Sequence, residues 1–265
     1  MTGILQLVTH GLSREEYLAT PRQLGWLYEY FDGTMYVRRC SAVVPLILIR
    51  GDLKPSPKLP PGTTARPVTE KDEAGLRRAF EAAFWGTSDF PDCTPECFPD
   101  HARKDICDHL TGAEGTPLDA SRLAEVDGKV VGAVLLREFR LGPLLNLVFV
   151  DPAVQRRGLA GALLARAVAA LPEDNPLIFS SARLANAPSL AWHERCGFLE
   201  VPNLQVLRMR AQHYDEELRR HQELGDVPEE ELVRLDQKAS YWIERCKTLR
   251  EEVGDDYHRL HPYYK

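Results

Sequence analysis

The chain has 265 residues, 44% hydrophobic and 27% charged, the make-up of an ordinary soluble globular protein with enough apolar material for a core. Its net charge of −6 concentrates in the last segment: residues 1–60 carry 7 basic against 5 acidic side chains, residues 61–210 carry 17 against 20, and residues 211–265 carry 9 against 14. No block of Lys and Arg offers a nucleic-acid footprint, six cysteines are too sparse for a disulfide scaffold, and the N-terminus lacks the basic start and apolar run of a signal peptide. With no apolar run long enough to span a bilayer, neither a nucleic-acid nor a membrane partner is expected, and a reduced cytoplasm is the expected location.

In chain order, Ser13 and Glu16 read as the capping box of a short helix. The aromatic runs on either side of Asp32-Gly33 read as a hairpin, because Gly tolerates the positive φ of a type I′ turn. The opening stretch from Ser13 to Val37 is similar to the start of Uma2-type endonuclease-like proteins. That similarity ends by Arg50 with no acidic nuclease core following, so the stretch is read as a hairpin appendage. Residues 42–49 form an apolar run around Pro45, consistent with an edge strand or a bulge. The Pro-rich stretch 54–67 reads as a linker. A strand at 65–69, helices at 69–85 and 101–110, strands at 122–126, 130–139 and 144–150, a helix at 159–171, a strand at 177–182 and a helix at 189–195 follow. Residues 201–210 are expected to end the sheet.

The tail is expected to be helical. Residues 214–224 form one helix ended by Gly225, and Asp226 with Glu229 starts another. Leu232, Leu235, Ala239, Trp242, Cys246, Leu249 and Val253 alternate spacings of three and four, an a/d seam. Docking within the chain is favoured over a dimer contact, since three heptads are marginal alone.

The chemistry concentrates where the strand 144–150 runs through Asp151-Pro152 into Gln155-Arg156-Arg157-Gly158-Leu159-Ala160-Gly161 and directly into a helix. Free N–H groups converge at such a helix start, and its dipole favours an anion. Gly158 permits close backbone approach, and Arg156 and Arg157 add charge at the rim, which suits a pyrophosphate. No Gly-Lys-Ser/Thr follows, so this is not a Walker A loop.

This segment resembles motif A of the GNAT (Gcn5-related) N-acetyltransferases, Gln/Arg-x-x-Gly-x-Gly/Ala, filled here by Gln155, Gly158 and Ala160. A second match follows in order: Asn186, Ser189, Gly197 and Phe198 fall in the register of a later motif of the same family. The resemblance covers residues 64–210. It implies an α/β (α+β) fold with a mixed, splayed sheet flanked by helices. The N-terminal module (1–60), the acyl-CoA-binding domain (61–210) and a C-terminal helical hairpin (211–265) are the expected divisions.

The resemblance further implies acetyl-CoA as acyl donor and a small-molecule or peptide amine as acceptor. The pantetheine arm would pair with main chain near Phe149 and Val150, and Asn186 and Ser189 would lie along it. The family often places a Tyr seven residues after the Asn to protonate the leaving thiolate. Here that position is His193, which can do the same work as a general acid. The strand 141–150 holds no ionisable residue, so no general base is named; Glu138, Glu125 and Asp89 are candidates by location, and a water relay is equally open. A non-catalytic acyl-CoA-binding module is the alternative. A monomer or a homodimer is expected.

Cys93, Cys97, His101, Cys107 and His109 fall within seventeen residues. Their spacing matches no paired Cys/His pattern, and Pro95 and Pro99 are expected to keep one helix from presenting the first three. No metal is expected there; the segment reads as a loop over the acceptor site.

Overall fold

The computed structural model describes residues 4–55, 58–91 and 93–253. In chain order its elements are β1 (Ile4–His10), α1 (Arg14–Ala19), β2 (Trp26–Phe31), β3 (Thr34–Arg39), β4 (Val43–Ile49), β5 (Thr63–Pro67), α2 (Glu73–Phe84), α3 (Phe98–Thr111) and β6 (Arg122–Val126). Then come β7 (Lys129–Phe139), β8 (Gly142–Val150), α4 (Leu159–Ala170), β9 (Leu177–Arg183), α5 (Ala187–Cys196), β10 (Leu199–Glu200), α6 (Leu204–Leu224) and α7 (Glu229–Val253). The chain forms two compact units: residues 46–181 with 191–200, and residues 1–45 with 182–190 and 201–265. The first division falls at Pro45/Leu46, inside β4.

In the unit that includes residues 1–45, an antiparallel sheet has the order β1-β3-β2. Asp32 and Gly33 turn β2 into β3 with φ of 47° and 69°, the positive values that the Asp-Gly pair accommodates. Ser13 and Glu16 form the expected capping box at α1. Residues 204–210 are helical and do not end a sheet. The Asn203 side chain accepts from the N–H groups of Gln205 and Val206 at 2.9 and 3.1 Å, so α6 begins at Leu204 rather than at Tyr214.

Gly225 ends α6 in the left-handed conformation, as expected. The Asp226 carboxylate turns to His221 Nδ1, 2.6 Å away, and α7 begins at Glu229. The a/d seam of α7 packs within the chain. Leu235, Ala239 and Leu249 are buried, and Leu249 joins Leu207, Leu204, Trp242 and Cys246 in one cluster. The side chain of Val253 lies outside the described residues.

The other unit holds most of a seven-stranded mixed sheet in the order β10-β4-β9-β8-β7-β6-β5. β5 to β8 are antiparallel neighbours, while β8 and β9 run parallel. Thr69 and Asp72 form a reciprocal capping box ahead of α2. The same Asp72 carboxylate takes both arms of Arg66 at 2.8 and 2.6 Å, and Arg66 also reaches Glu125 at 2.7 Å. Glu125 is thereby tied to the β5–β6 framework. One core cluster lies under α2 and α3, where Leu76, Phe80, Phe98 and Ile106 meet Leu123, Leu135 and Phe149 of the sheet.

Candidate functional site

β8 and β9 pair at Leu144 with Phe179 and at Leu145 with Ser180, and among the described residues their pairing goes no further. Among the described residues, 146–150 therefore pair with no strand on that edge. The other edge is fixed by β7. Asp151 donates its N–H to Val131 at 2.8 Å, and a Cβ on Gly132 would lie 2.8 Å from the Phe149 carbonyl oxygen. Main-chain groups alternate between the two edges of a strand. Phe149 thus turns its main chain to β7, whereas Val148 and Val150 turn theirs to the open edge. Of the two residues expected along the arm, Val150 is on the open edge and Phe149 is not, and strand alternation adds Val148 to that edge.

At the end of β8 the Asp151 side chain accepts from Ala153 N–H at 2.9 Å and starts a single 3-10 turn. The Gln155 side chain donates back to the Val150 carbonyl at 2.8 Å, which locks the corner. Arg156 and Gly158 both adopt positive φ, 62° and 79°, and such residues turn successive N–H groups into a concavity that accepts anions. Gly158 is the N-cap of α4 and supplies no side-chain cap. The N–H groups of Leu159, Ala160 and Gly161 have no acceptor within the helix, and the exposed Arg156 and Arg157 flank them. Buried Leu159, Leu163 and Leu164 anchor the helix. These residues fit a pyrophosphate.

His193, on α5, is 2% exposed, and its Nε2 lies 2.9 Å from the Ser180 hydroxyl on β9. Trp192 and Phe198 set their rings edge-on to it, with centroids 4.8 and 4.9 Å away. Ser180 is the residue at which β8 and β9 last pair, so this buried dyad stands at the start of the splay. Asn186 and Ser189 belong to the other unit. There Asn186 Oδ1 accepts from Ser189 N–H at 3.0 Å, which caps the start of α5. Gly197 has φ 99°, and a Cβ there would lie 2.4 Å from the Asp52 carbonyl oxygen.

As expected, no single helix presents Cys93, Cys97 and His101, since α3 begins at Phe98, yet the three converge in space. One ligand atom from each lies within 4.8 Å of the others. Pro99 sits in the first turn of α3, where no N–H is needed. His109 is not part of this group. It is 2% exposed, neither ring nitrogen has a hydrogen-bond partner among the described residues, and burial with the nearby charge of Arg137 lowers its pKa to about 4.

Residues 86–198 match the family model for the acetyltransferase (GNAT) family. This stretch is a GNAT-family acetyltransferase domain. No curated protein matches the chain. Among solved structures, a protein of Pyrococcus horikoshii OT3 is similar at 18% identity and a TM-score of 0.45, covering 53% of this chain and 91% of its own. A GCN5-related N-acetyltransferase of Sphaerobacter thermophilus is similar at 19% and 0.41, covering 60% of this chain and 48% of its own. A GNAT-family acetyltransferase of Brucella melitensis, solved with acetyl-CoA, is similar at 26% and 0.32, covering 40% of this chain and 66% of its own. The chain thus spans about half the length of the Sphaerobacter protein. No helix among the described residues is long and apolar enough to cross a membrane.

Proposed function

We propose that the protein moves an acetyl group from acetyl-CoA to a primary amine, on a small molecule or a peptide, by direct transfer. The observation that carries this reading is the open edge of β8 running straight into the Gly158 turn and the uncapped start of α4. When bound, acetyl-CoA supplies an activated acyl group as a thioester. The N–H groups of Leu159, Ala160 and Gly161, with Arg156 and Arg157, bind its pyrophosphate. Val148 and Val150 bind the pantetheine arm through main chain, as a strand edge binds an added strand. Gln155 acts by fixing the corner. A main-chain N–H on that edge polarises the thioester carbonyl. His193 passes a proton through the Ser180 hydroxyl toward the leaving thiolate. Asn186 and Ser189 are assigned to the cofactor on the family resemblance alone. The acceptor amine loses its proton through water.

The second reading, a non-catalytic acyl-CoA-binding module, is favoured by the absence of any carboxylate on β8. Free-thiol release measured over a panel of amines separates the two. Amine-dependent release supports the enzyme. Tight acetyl-CoA binding with no release over any amine supports the module.

A further inference from the structure

The loop that joins α2 to α3 brings together three soft donors that the acyltransfer reading leaves unused. Cys93, Cys97 and His101 are spaced four residues apart, and their ligand atoms lie within 4.8 Å of one another. The backbone explains the convergence. Cys97 and Phe98 both donate N–H to the Thr94 carbonyl, at 3.2 and 3.1 Å, and His101 donates to the Cys97 carbonyl at 3.3 Å. Residues 94–98 thus wind into α3 as one continuous turn that sets Cys97 and His101 on one face, and Cys93 lies just ahead of it.

The surroundings suit a bound metal. The Thr94 N–H points at Cys97 Sγ from 3.1 Å, the kind of outer hydrogen bond that steadies a thiolate ligand. Cys93 packs against the aromatic core, and the Phe90 ring stands 6.2 Å from that of His101. Neither cysteine is in a disulfide. Two thiolates and an imidazole select zinc-class ions over magnesium or calcium. Donors on a tetrahedral zinc sit about 3.3–3.8 Å apart, from bond lengths of about 2.0–2.3 Å, so closure needs roughly 1 Å of side-chain movement.

We propose that Cys93, Cys97 and His101 bind one zinc-class divalent ion, with the fourth tetrahedral position left to water or another ligand. Binding converts both thiols to thiolates and releases their protons to solvent. The ion pins the α2–α3 connection against the aromatic core.

The test uses the full chain without a tag, kept reduced, stripped with a chelator and titrated with Co²⁺ and then Zn²⁺. The expected result is one ion per chain, with a thiolate-to-cobalt charge-transfer band and the strong visible bands of tetrahedral cobalt, bleached by zinc. Cys93→Ser, Cys97→Ser and His101→Ala each lose stoichiometric binding, whereas Cys107→Ser keeps it. Circular dichroism of each variant shows that it is folded; for any that is not, carboxymethylation of the two thiols in wild type, blocked by zinc, replaces it. No cobalt band in wild type, binding that survives all three changes, or a Cys93–Cys97 disulfide formed in place of metal uptake overturns the proposal.

Discussion

His193 Nε2 and Ser180 Oγ lie 2.9 Å apart in the interior, at the point where β8 and β9 separate. A buried imidazole bonded to a hydroxyl at the mouth of the splay is placed to relay a proton. His193→Phe is expected to lower turnover by about 10²–10⁴ while leaving CoA affinity nearly intact. Ser180→Ala is expected to lower turnover in the same direction. Steady-state kinetics against pH, in wild type, His193→Phe and His193→Tyr, is the measurement. Wild-type turnover with an unshifted profile in His193→Phe would show that the ring only packs.

Gly158 has φ 79° and opens α4. Gly158→Val strains a left-handed position and fills the space in front of the helix N-terminus. CoA affinity measured by calorimetry is expected to fall at least tenfold, about 1.4 kcal/mol. Unchanged affinity removes the pyrophosphate assignment.

Local rules made much of this fold legible. The Ser13 cap, the Asp32-Gly33 turn and the motif turn at Gly158 each depend on a few neighbouring residues, and each appears as read. What stayed hidden depends on contacts distant in sequence or on counting from a partner strand. The β1 strand pairs with β3, and nothing local marks it. Val148 faces the open edge only because Asp151 is bonded to Val131. Residues 204–210 read as a strand because several are apolar, yet Asn203 supplies the cap that starts a helix. Cys93 and Cys97 precede α3, as the prolines imply, but their approach to His101 depends on how residues 94–98 turn into the helix.

Gly197 shows why the Gly-Phe pair closes the second motif. Its φ is 99°, and an added Cβ would meet the backbone oxygen of Asp52 at 2.4 Å. Gly197→Ala is expected to cost about 1–3 kcal/mol, seen as a lower urea midpoint. A midpoint equal to wild type would mean that the segment at Asp52 shifts freely.

Leu249 and Leu207 belong to one buried cluster between α7 and α6. Leu249→Ala is expected to destabilise by about 2–5 kcal/mol. Thermal unfolding together with sedimentation checks it. A lower melting temperature without a change in mass supports docking within the chain, and a change in mass supports a dimer seam.

The buried imidazole of His109 sets a pH dependence. Burial first, and the Arg137 charge second, depress its pKa to about 4, against about 6.5 for an unfolded histidine. Above about pH 6.5 neither state holds the proton, so stability is full. Between about 6.5 and 4 the unfolded chain binds a proton that the folded chain excludes, so stability falls as the pH falls, by on the order of 3 kcal/mol, and this loss levels off below about 4. Asp72, held down to about 2 chiefly by Arg66, gives up its stabilisation only at lower pH, so the two windows separate. Urea unfolding at half-unit steps from about pH 7.5 to about 4.5 reads the His109 window. His109→Phe is expected to flatten it, and Arg137→Gln to narrow it by letting the folded-state pKa rise. A His109→Phe protein that loses stability in parallel with wild type would show that another group carries the acid limb.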